Sequence, residues 1–220
     1  MIVTHLYHSG TLIELKKHLL LFDYYQGDLK FNHDKPLYVF VSHSHDDHYN
    51  RQIFHIEHPD IHYILSNDIH SHRQAMYVKP HQSYQVDDIR FNTLISTDQG
   101  VAYIVEVENQ VIYFAGDLHW WHWEGEPDIN NEWQRKIYQQ EISRIHQNID
   151  LACIVVDKRQ GDDYLLGLQY FMQNINSRYI LPIHYFGDYN ISESLKKEHL
   201  DNPHHTKILD VTHQNQIFHI

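Results

Sequence analysis

The sequence predicts an α/β protein in which mixed β-sheets are covered by helices, and three observations favour this class. Short apolar runs bounded by turn residues recur along the chain, as in Leu37 to Val41 and Leu151 to Val156. Segments with apolar residues at helical spacing follow several of these runs. No stretch rich in Pro, Gly or Ser divides the 220 residues, so we expect one domain over residues 1–220.

Strands dominate the first half of the prediction. Apolar runs predict them near residues 2–8, 11–15, 19–23, 37–41, 61–65, 83–86, 89–95, 101–107 and 110–115. A turn around Glu108 and Asn109 joins the last two. A helix is expected after the run at 37–41, because Tyr49, Ile53 and Ile56 fall at i, i+4 and i+7.

Two longer helices are predicted in the second half. The first covers about 131–147, and its inner face is expected to carry Trp133, Ile137, Ile142, Ile145 and Ile149. The second begins at a cap formed by Asp162 or Asp163, and its apolar face comprises Tyr164, Leu168, Phe171, Met172 and Ile175. Gly167 weakens this helix mildly. A short helix near 192–199 and strands near 206–211 and 216–219 complete the chain.

Four metal-competent side chains stand within six residues directly after the run at 37–41. The segment reads Ser42-His43-Ser44-His45-Asp46-Asp47-His48, with the spacing H-x-H-x-D-H. Neutral imidazole and carboxylate are the ligands that zinc and similar divalent ions bind. Because the chain holds 22 His, a shuffled sequence would contain this pattern about one time in fifty, so the context of the pattern has to be weighed.

That context favours a metal centre, because three apolar runs each end in a short turn that carries a candidate ligand. The run at 37–41 leads to His43, the run at 111–115 leads to Asp117, and the run at 179–181 leads to His184. In layered α/β folds, sites collect where strands end and loops begin.

With these motifs the chain resembles the metallo-β-lactamase superfamily over nearly its whole length. Four of the five motifs of that superfamily match in order: Leu19 to Asp23, the His43 to His48 cluster, Ala115-Gly116-Asp117 and Pro182-Ile183-His184. The third motif departs, because the segment 94–100 has no His; an uncharacterised bacterial branch of these hydrolases shares that departure. The resemblance implies a four-layer αββα sandwich, with two mixed β-sheets flanked by helices.

The resemblance also implies roles for the matching residues. His43 and His45 would bind one ion, Asp47, His48 and His184 a second, and Asp117 would bridge the two, with Asp47 and Asp117 as the catalytic carboxylates. Asp23 would orient a ligand from behind. At the first ion the missing His could be replaced by Asp98, His119 or His81, or that position is weak or empty. One or two divalent ions are expected, with zinc favoured over manganese or iron.

A substrate pocket is expected just beyond Asp117. Trp120 and Trp121, with Trp123 beside them, would line it, although loop packing explains these residues equally well. Arg159 would face an anionic group of the substrate or form a surface ion pair. We expect His55, His58, His62, His70 and His72 at the surface.

The leading functional hypothesis is a metal-dependent hydrolase in which a metal-bound hydroxide attacks a small-molecule ester, lactone or phosphoester. The alternatives are a non-catalytic or sensory metal-binding protein and an iron-dependent oxidoreductase of the same fold. A net charge of −12 argues against a nucleic-acid partner. No leader or membrane-spanning run is apparent, so we expect a cytoplasmic protein. A homo-oligomer remains open.

Overall fold

Two mixed β-sheets form the centre of the protein in the computed structural model, which describes residues 1–71 and 73–220. His72, expected at the surface, lies outside the described residues. The first sheet has the strand order β14-β1-β2-β3-β4-β5-β6. Its strands are β1 (Ile2–Tyr7), β2 (Gly10–Glu14), β3 (Leu19–Phe22), β4 (Leu37–Val41), β5 (Ile61–Ser66), β6 (Met76–Val78) and β14 (Gln216–His219). The pairs from β14 to β3 are antiparallel, and those from β3 to β6 are parallel.

The second sheet repeats this plan with the order β13-β12-β11-β10-β9-β8-β7. Its strands are β7 (Ser83–Val86), β8 (Ile89–Ile95), β9 (Val101–Val107), β10 (Gln110–Phe114), β11 (Ile149–Val155), β12 (Ser177–Ile183) and β13 (Lys207–Ile208). The pairs from β7 to β10 are antiparallel, and those from β10 to β13 are parallel. The predicted fold class, with two mixed sheets and flanking helices, is confirmed.

The main core lies between the sheets. Along β3 and β4 alternate side chains point to opposite faces, so Phe22 and Phe40 enter the main core while Leu21 and Val39 enter a smaller cluster on the outer face. Phe22 stacks on Phe40 within its own sheet, at 4.9 Å, and on Phe114 of β10 across the interface, at 4.7 Å between ring centroids. Both faces of these strands are therefore buried, which explains why they read as continuous apolar runs.

The helices are α1 (Asp128–Ile142), α2 (Leu166–Asn174) and α3 (Ile191–Lys197) within the described ranges. The helix α1 begins and ends earlier than predicted, and Trp133, expected on its inner face, is 53% exposed. The expected cap by Asp162 or Asp163 is wrong, because both belong to a 3-10 segment, Lys158–Asp163, that precedes α2. The apolar face predicted for α2 is buried, including Leu168, Phe171 and Met172.

The helix expected after the second motif is a single 3-10 turn, Arg51–His55. Asn50 caps this turn by accepting a hydrogen bond from the Gln52 backbone, and Ile56 is already extended. Ile53 is fully buried on the outer face of the first sheet. The segment ends after these residues, because the chain has to become extended again before β5 begins at Ile61.

Short edge strands were the other difference. β6 was not predicted, and β13 covers two residues instead of the expected six. In the part of the chain that the structure describes, no helix combines the length and apolarity needed to cross a bilayer.

Candidate metal centre

The ends of several strands converge at one edge of the sandwich, and each end carries part of the second, third, fourth or fifth motif. Two glycines allow the motif loops to pack against one another. A Cβ on Gly100 would lie 2.0 Å from the Ser42 carbonyl oxygen, and a Cβ on Gly116 would lie 2.6 Å from the Ser42 Cβ. Both glycines have positive φ, at 67° and 52°. The approach of these loops brings distant segments into one cluster.

A first group of donor atoms comes from His43, His45, Asp98 and Asp117, all within 4.8 Å of one another. His43 Nε2 lies 3.1 Å from His45 Nδ1, and His45 Nδ1 lies 3.4 Å from Asp98 Oδ2. Of the three replacements considered for the missing His, only Asp98 joins a ligand group among the described residues. The β8–β9 turn therefore places a carboxylate at this position.

A second group comes from Asp47, His48, His184 and also His8, again within 4.8 Å. His48 Nε2 lies 3.8 Å from Asp47 Oδ2. His8, in the turn between β1 and β2, lies with its Nε2 3.1 Å from the same Asp47 oxygen. His8 was not among the residues predicted from the sequence. Its only signal was a His in a tight His-Ser-Gly turn after an apolar strand.

Asp117 lies between the two groups. Its Oδ1 is 3.1 Å from His48 Nε2 and 3.3 Å from His184 Nε2, and its Oδ2 is 3.6 Å from His43 Nε2. One carboxylate thus presents one oxygen to each group, which is the geometry that a bridging ligand needs.

Two buried carboxylates hold the ligand imidazoles from behind. Asp23 accepts hydrogen bonds from the Ser42 backbone at 2.7 Å and from His48 Nδ1 at 2.7 Å. Asp157, which was not predicted, accepts one from His184 Nδ1 at 3.1 Å. Such partners fix the ring orientation and leave Nε2 free for an ion. Asp23 thus lies behind the His48 ring, on the side away from Asp117.

The buried ionisable groups of this centre shift one another's pKa values. Burial lowers the pKa of His184, but the charge of Asp117 and hydrogen bonds to Asp117 and Asp157 outweigh it and raise that pKa to about 9. The pKa of His48 is raised by the same balance, with Asp23 contributing. Burial alone would raise the pKa of Asp117, yet His48 and His184 hold it well below its usual range. An ionised, buried carboxylate here requires a neighbouring positive charge, which protons or a metal ion can supply.

The donor atoms that face the centre fit a metal ion. His48 Nε2 and Asp117 Oδ1 are buried and lack a hydrogen-bond partner among the described residues. Buried polar atoms are normally satisfied, so two such exceptions that face each other need an explanation. Imidazole and carboxylate donors at these separations fit ions with bonds of about 2.0–2.2 Å.

A cavity of about 320 Å³ opens beside the two groups. Besides ligand candidates it is lined by Trp121, Trp123, Thr97, Gln134 and Arg159. Trp120, expected on its wall, does not line it and instead packs edge-on against Tyr170 of α2. Arg159 forms a salt bridge with Asp157, and its Cζ lies 4.7 Å from the centroid of the Phe186 ring. Its guanidinium therefore contacts the carboxylate behind His184 and also lines the cavity.

The remaining candidates lie outside the ligand groups. His119 is fully buried, and its Nε2 accepts a hydrogen bond from Gln160 at 2.9 Å. His81 contacts Glu141 of α1 at 2.8 Å. Both act in packing of the loops around the centre, because neither offers a donor atom to it.

Comparison with known proteins identifies a family and a fold for this chain. A family described as "Beta-lactamase superfamily domain" matches residues 2–184. Among curated protein sequences no match is found. The fold is similar to that of YhfI, a metallo-beta-lactamase fold protein from Bacillus subtilis, with a TM-score of 0.66, 13% identity, and 99% of this chain and 98% of that chain covered.

Two further structures share the fold. Igni18, a metallo hydrolase from Ignicoccus hospitalis, has a TM-score of 0.65 and 14% identity, with 100% of each chain covered. CmlA, a diiron beta-hydroxylase from Streptomyces venezuelae, has a TM-score of 0.56 and 8% identity, with 83% of this chain and 44% of that chain covered. At these identities the structures establish the fold alone. Because the family match spans well over half of its length, the chain belongs to the beta-lactamase superfamily.

Proposed function

We propose that this protein is a metal-dependent hydrolase of small-molecule esters, lactones or phosphoesters. One observation carries the proposal: two groups of His and Asp donors meet at Asp117 and open onto a single cavity. Bound divalent ions supply a nucleophile at neutral pH by lowering the pKa of a water from about 15.7 to about 7. Hydrolysis of such a substrate would join a water oxygen to the carbonyl carbon or phosphorus and break the bond to the leaving oxygen, which would take up a proton from that water.

The residues have distinct parts in this proposal. His43, His45 and Asp98 would hold one ion, and Asp47, His48 and His184 the other, with Asp117 between them. Asp98 in place of the usual His makes the first position richer in oxygen. Carboxylate ligands suit manganese and iron as well as zinc, so the oxygen-rich position broadens the expected choice of metal.

The cavity supports a small substrate, because about 320 Å³ is at the lower end of the range for ligand sites. Trp121 and Trp123 stack at 5.7 Å and offer an aromatic wall. Arg159 contributes a guanidinium to the lining, and its side chain is 55% exposed, so it can contact an anionic group without leaving Asp157. We therefore propose an anionic substrate; a nucleic-acid partner remains unexpected.

Metal content and turnover test the proposal together. Protein purified without affinity metals should contain close to two ions per chain, and should hydrolyse members of an ester, lactone and phosphoester panel. Asp117→Ala and His48→Ala should lose tight metal binding and all hydrolysis. His204→Ala, which changes an exposed residue far along the chain, should lose neither.

Three outcomes would count against this function. Metal and activity retained by Asp117→Ala would show that the centre is elsewhere. Stoichiometric metal with no turnover across the panel would favour a non-catalytic metal-binding protein. Dioxygen consumption by the iron-loaded protein with an added reductant would favour an iron-dependent oxidoreductase, which the carboxylate at Asp98 and the similarity to a diiron beta-hydroxylase make the second candidate.

A further inference from the structure

His8 is the residue of the second group that lies outside the sequence motifs described above. It is completely buried, and its ring lies 4.2 Å from the His184 ring and 5.4 Å from the His48 ring, measured between centroids. Its Nε2 is 3.1 Å from Asp47 Oδ2. Distance alone would make His8 a further ligand of the second ion, beside Asp47, His48, His184 and the bridging Asp117.

The neighbouring histidines show what a ligand requires. His48 and His184 each place Nδ1 against a carboxylate, Asp23 and Asp157 respectively. An ionised carboxylate can only accept a hydrogen bond, so each Nδ1 carries the proton. In the neutral ring the lone pair is then on Nε2, and this atom faces the centre.

His8 has the opposite arrangement. The backbone N–H of Phe186 donates a hydrogen bond to His8 Nδ1 at 3.2 Å. Because an amide nitrogen can only donate, Nδ1 uses its lone pair here, and the proton of the neutral ring is on Nε2. A protonated nitrogen has no lone pair for a metal, so the His8 Nε2 that faces the centre is a hydrogen-bond donor.

The loop after β12 holds this orientation of the ring. His184 N–H donates to the His8 carbonyl oxygen at 3.1 Å, and the Phe186 ring lies 3.8 Å from the imidazole. His8, His184 and Phe186 all have positive φ, at 54°, 70° and 45°. Turning the His8 ring would break the hydrogen bond from the Phe186 backbone, which belongs to a loop that is held in the left-handed conformation at His184 and Phe186.

We propose that His8 is a hydrogen-bond donor to the metal ligand Asp47 and is not itself a metal ligand. Nε2 has no aligned hydrogen-bond partner among the described residues, but Asp47 Oδ2 lies 3.1 Å away on a partly exposed side chain. A small rotation of the Asp47 carboxylate would let this oxygen accept the Nε2–H bond, which would orient Asp47 and leave its other oxygen for the ion. One coordination position, which His8 would otherwise fill, stays available for water or substrate, as catalytic metal sites require. This inference rests on the proposed metal centre, and it makes His8 a positioning residue.

Direct observation of the proton tests the inference in the wild-type protein. With zinc alone as the probe, long-range ¹H–¹⁵N correlation spectra of the ¹⁵N-labelled protein distinguish the two tautomers of each histidine. We expect His8, assigned by the loss of its signals in His8→Gln, to carry its proton on Nε2. His48 and His184 should carry theirs on Nδ1 and show metal-shifted Nε2 signals. A His8 ring protonated on Nδ1 with a metal-shifted Nε2 would overturn the inference.

Zinc titrations of matched variants give a second readout. His8→Gln retains a donor near the position of Nε2 and should bind two zinc ions with nearly wild-type affinity. His8→Ala should also bind two, with affinity for one of them about 10–100-fold weaker, the usual effect of removing an outer partner. His48→Gln, the matched change at a ligand, should lose tight binding of at least one ion. An ion lost from His8→Gln would contradict the proposal.

Failure of the inference and failure of the proposed function are distinguishable. Zinc bound with a proton on His8 Nε2 but no hydrolysis would overturn the function and leave the role of His8 standing. Hydrolysis by a protein whose His8 ligates zinc would do the reverse. A wild-type protein that binds no zinc, manganese or iron would overturn both.

Discussion

For single residues of this centre, the groups that contact a side chain decide whether it can bind a metal ion, as much as the residue type does. His43, His48 and His184 face the metal centre together with Asp117. His119, only two residues after Asp117, points away from the centre and forms a hydrogen bond with Gln160. Asp98 and Asp46 differ in the same way. Both are exposed carboxylates near the His43 to His48 cluster, yet of the two only Asp98 joins a ligand group. Burial and the charge of Asp117 raise the pKa of Asp98, which shows that the two carboxylates repel without a cation between them.

Removal of the Asp98 carboxylate should empty the first metal position. We expect Asp98→Ala to bind one ion per chain instead of two, or to bind the first ion at least about 100-fold more weakly, beyond the effect of losing an outer partner. Asp98→His should restore binding and shift the preference from manganese toward zinc. Isothermal titration with zinc and manganese measures both. Asp46→Ala is the control, and equal losses in Asp46→Ala and Asp98→Ala would refute a specific role for Asp98.

At the scale of elements, helix α2 begins against the loop of the fourth motif. Gly167 allows this contact, since a Cβ there would lie 2.4 Å from His119 Nδ1 and 2.5 Å from His119 Cε1. The glycine that looks like a weakness in the helical pattern is therefore a packing requirement, and its carbonyl oxygen also accepts a hydrogen bond from Tyr138 of α1 at 2.8 Å.

Gly167→Ala should destabilise the protein by about 1–3 kcal/mol, although alanine is the better helix former by about 1 kcal/mol. The physical reason is overpacking against His119. Urea unfolding of both single variants and the double variant completes a thermodynamic cycle. In the His119→Ala background the same change should become neutral or stabilising. If the cost of Gly167→Ala persists in that background, the contact with His119 is not its cause.

Helix α1 is attached to the third-motif turn through one buried carboxylate. Glu141, 1% exposed, accepts hydrogen bonds from the Ile95 backbone at 3.1 Å, from His81 at 2.8 Å and from Arg144 at 3.0 Å. This contact positions the turn that carries Asp98 three residues later.

Glu141→Gln should therefore destabilise the protein by about 1–3 kcal/mol and speed the hydrogen exchange of the Ile95 amide. The glutamine retains the size of the side chain but not its charge, so the loss reports on charge-assisted bonding. Glu132 forms the same i,i+3 pair with Arg135 on the exposed face of α1. Glu132→Gln should leave unfolding and exchange unchanged, and a comparable change there would contradict the assignment to Glu141.

At the scale of the whole molecule, buried neutral histidines set the response to acid. Burial is the main cause that lowers the pKa of His5 and His119 to about 3 and of His8 and His43 to about 4. The unfolded chain has these groups near the reference value of about 6.5, so it binds more protons than the folded chain below that pH.

Stability of the chelator-treated protein should consequently fall as the pH is lowered from 6.5 to 5, by at most about 2 kcal/mol for each of these four histidines. His184, with a pKa raised to about 9, contributes stability that is fully present below pH 6.5 and is lost toward pH 9, so it does not oppose this trend. Urea unfolding at pH 6.5 and 5 measures the effect. His119→Gln should reduce the fall, and equal stability at both values would exclude this mechanism.

Local pattern alone determined most of the strands and the identity of the metal-competent residues. Strands such as 83–86 and 101–107 were predicted at their observed bounds, because alternation and apolar runs depend only on neighbouring residues. His43, Asp117 and His184 were recognisable as candidate ligands because each follows an apolar run closely in the sequence, whereas Asp23 was a candidate through the resemblance of its motif.

Only the tertiary structure decided which side chains meet and which atom each one presents. Asp98 reaches the first group, and His8 reaches the second, through contacts between segments remote in sequence. The exposure of Trp133 and the shortening of the expected helix to a 3-10 turn likewise depend on what the rest of the chain already covers. The physical reason is that periodicity records which face of an element is apolar, whereas a ligand or a tautomer is selected by partners that the folded chain brings from elsewhere.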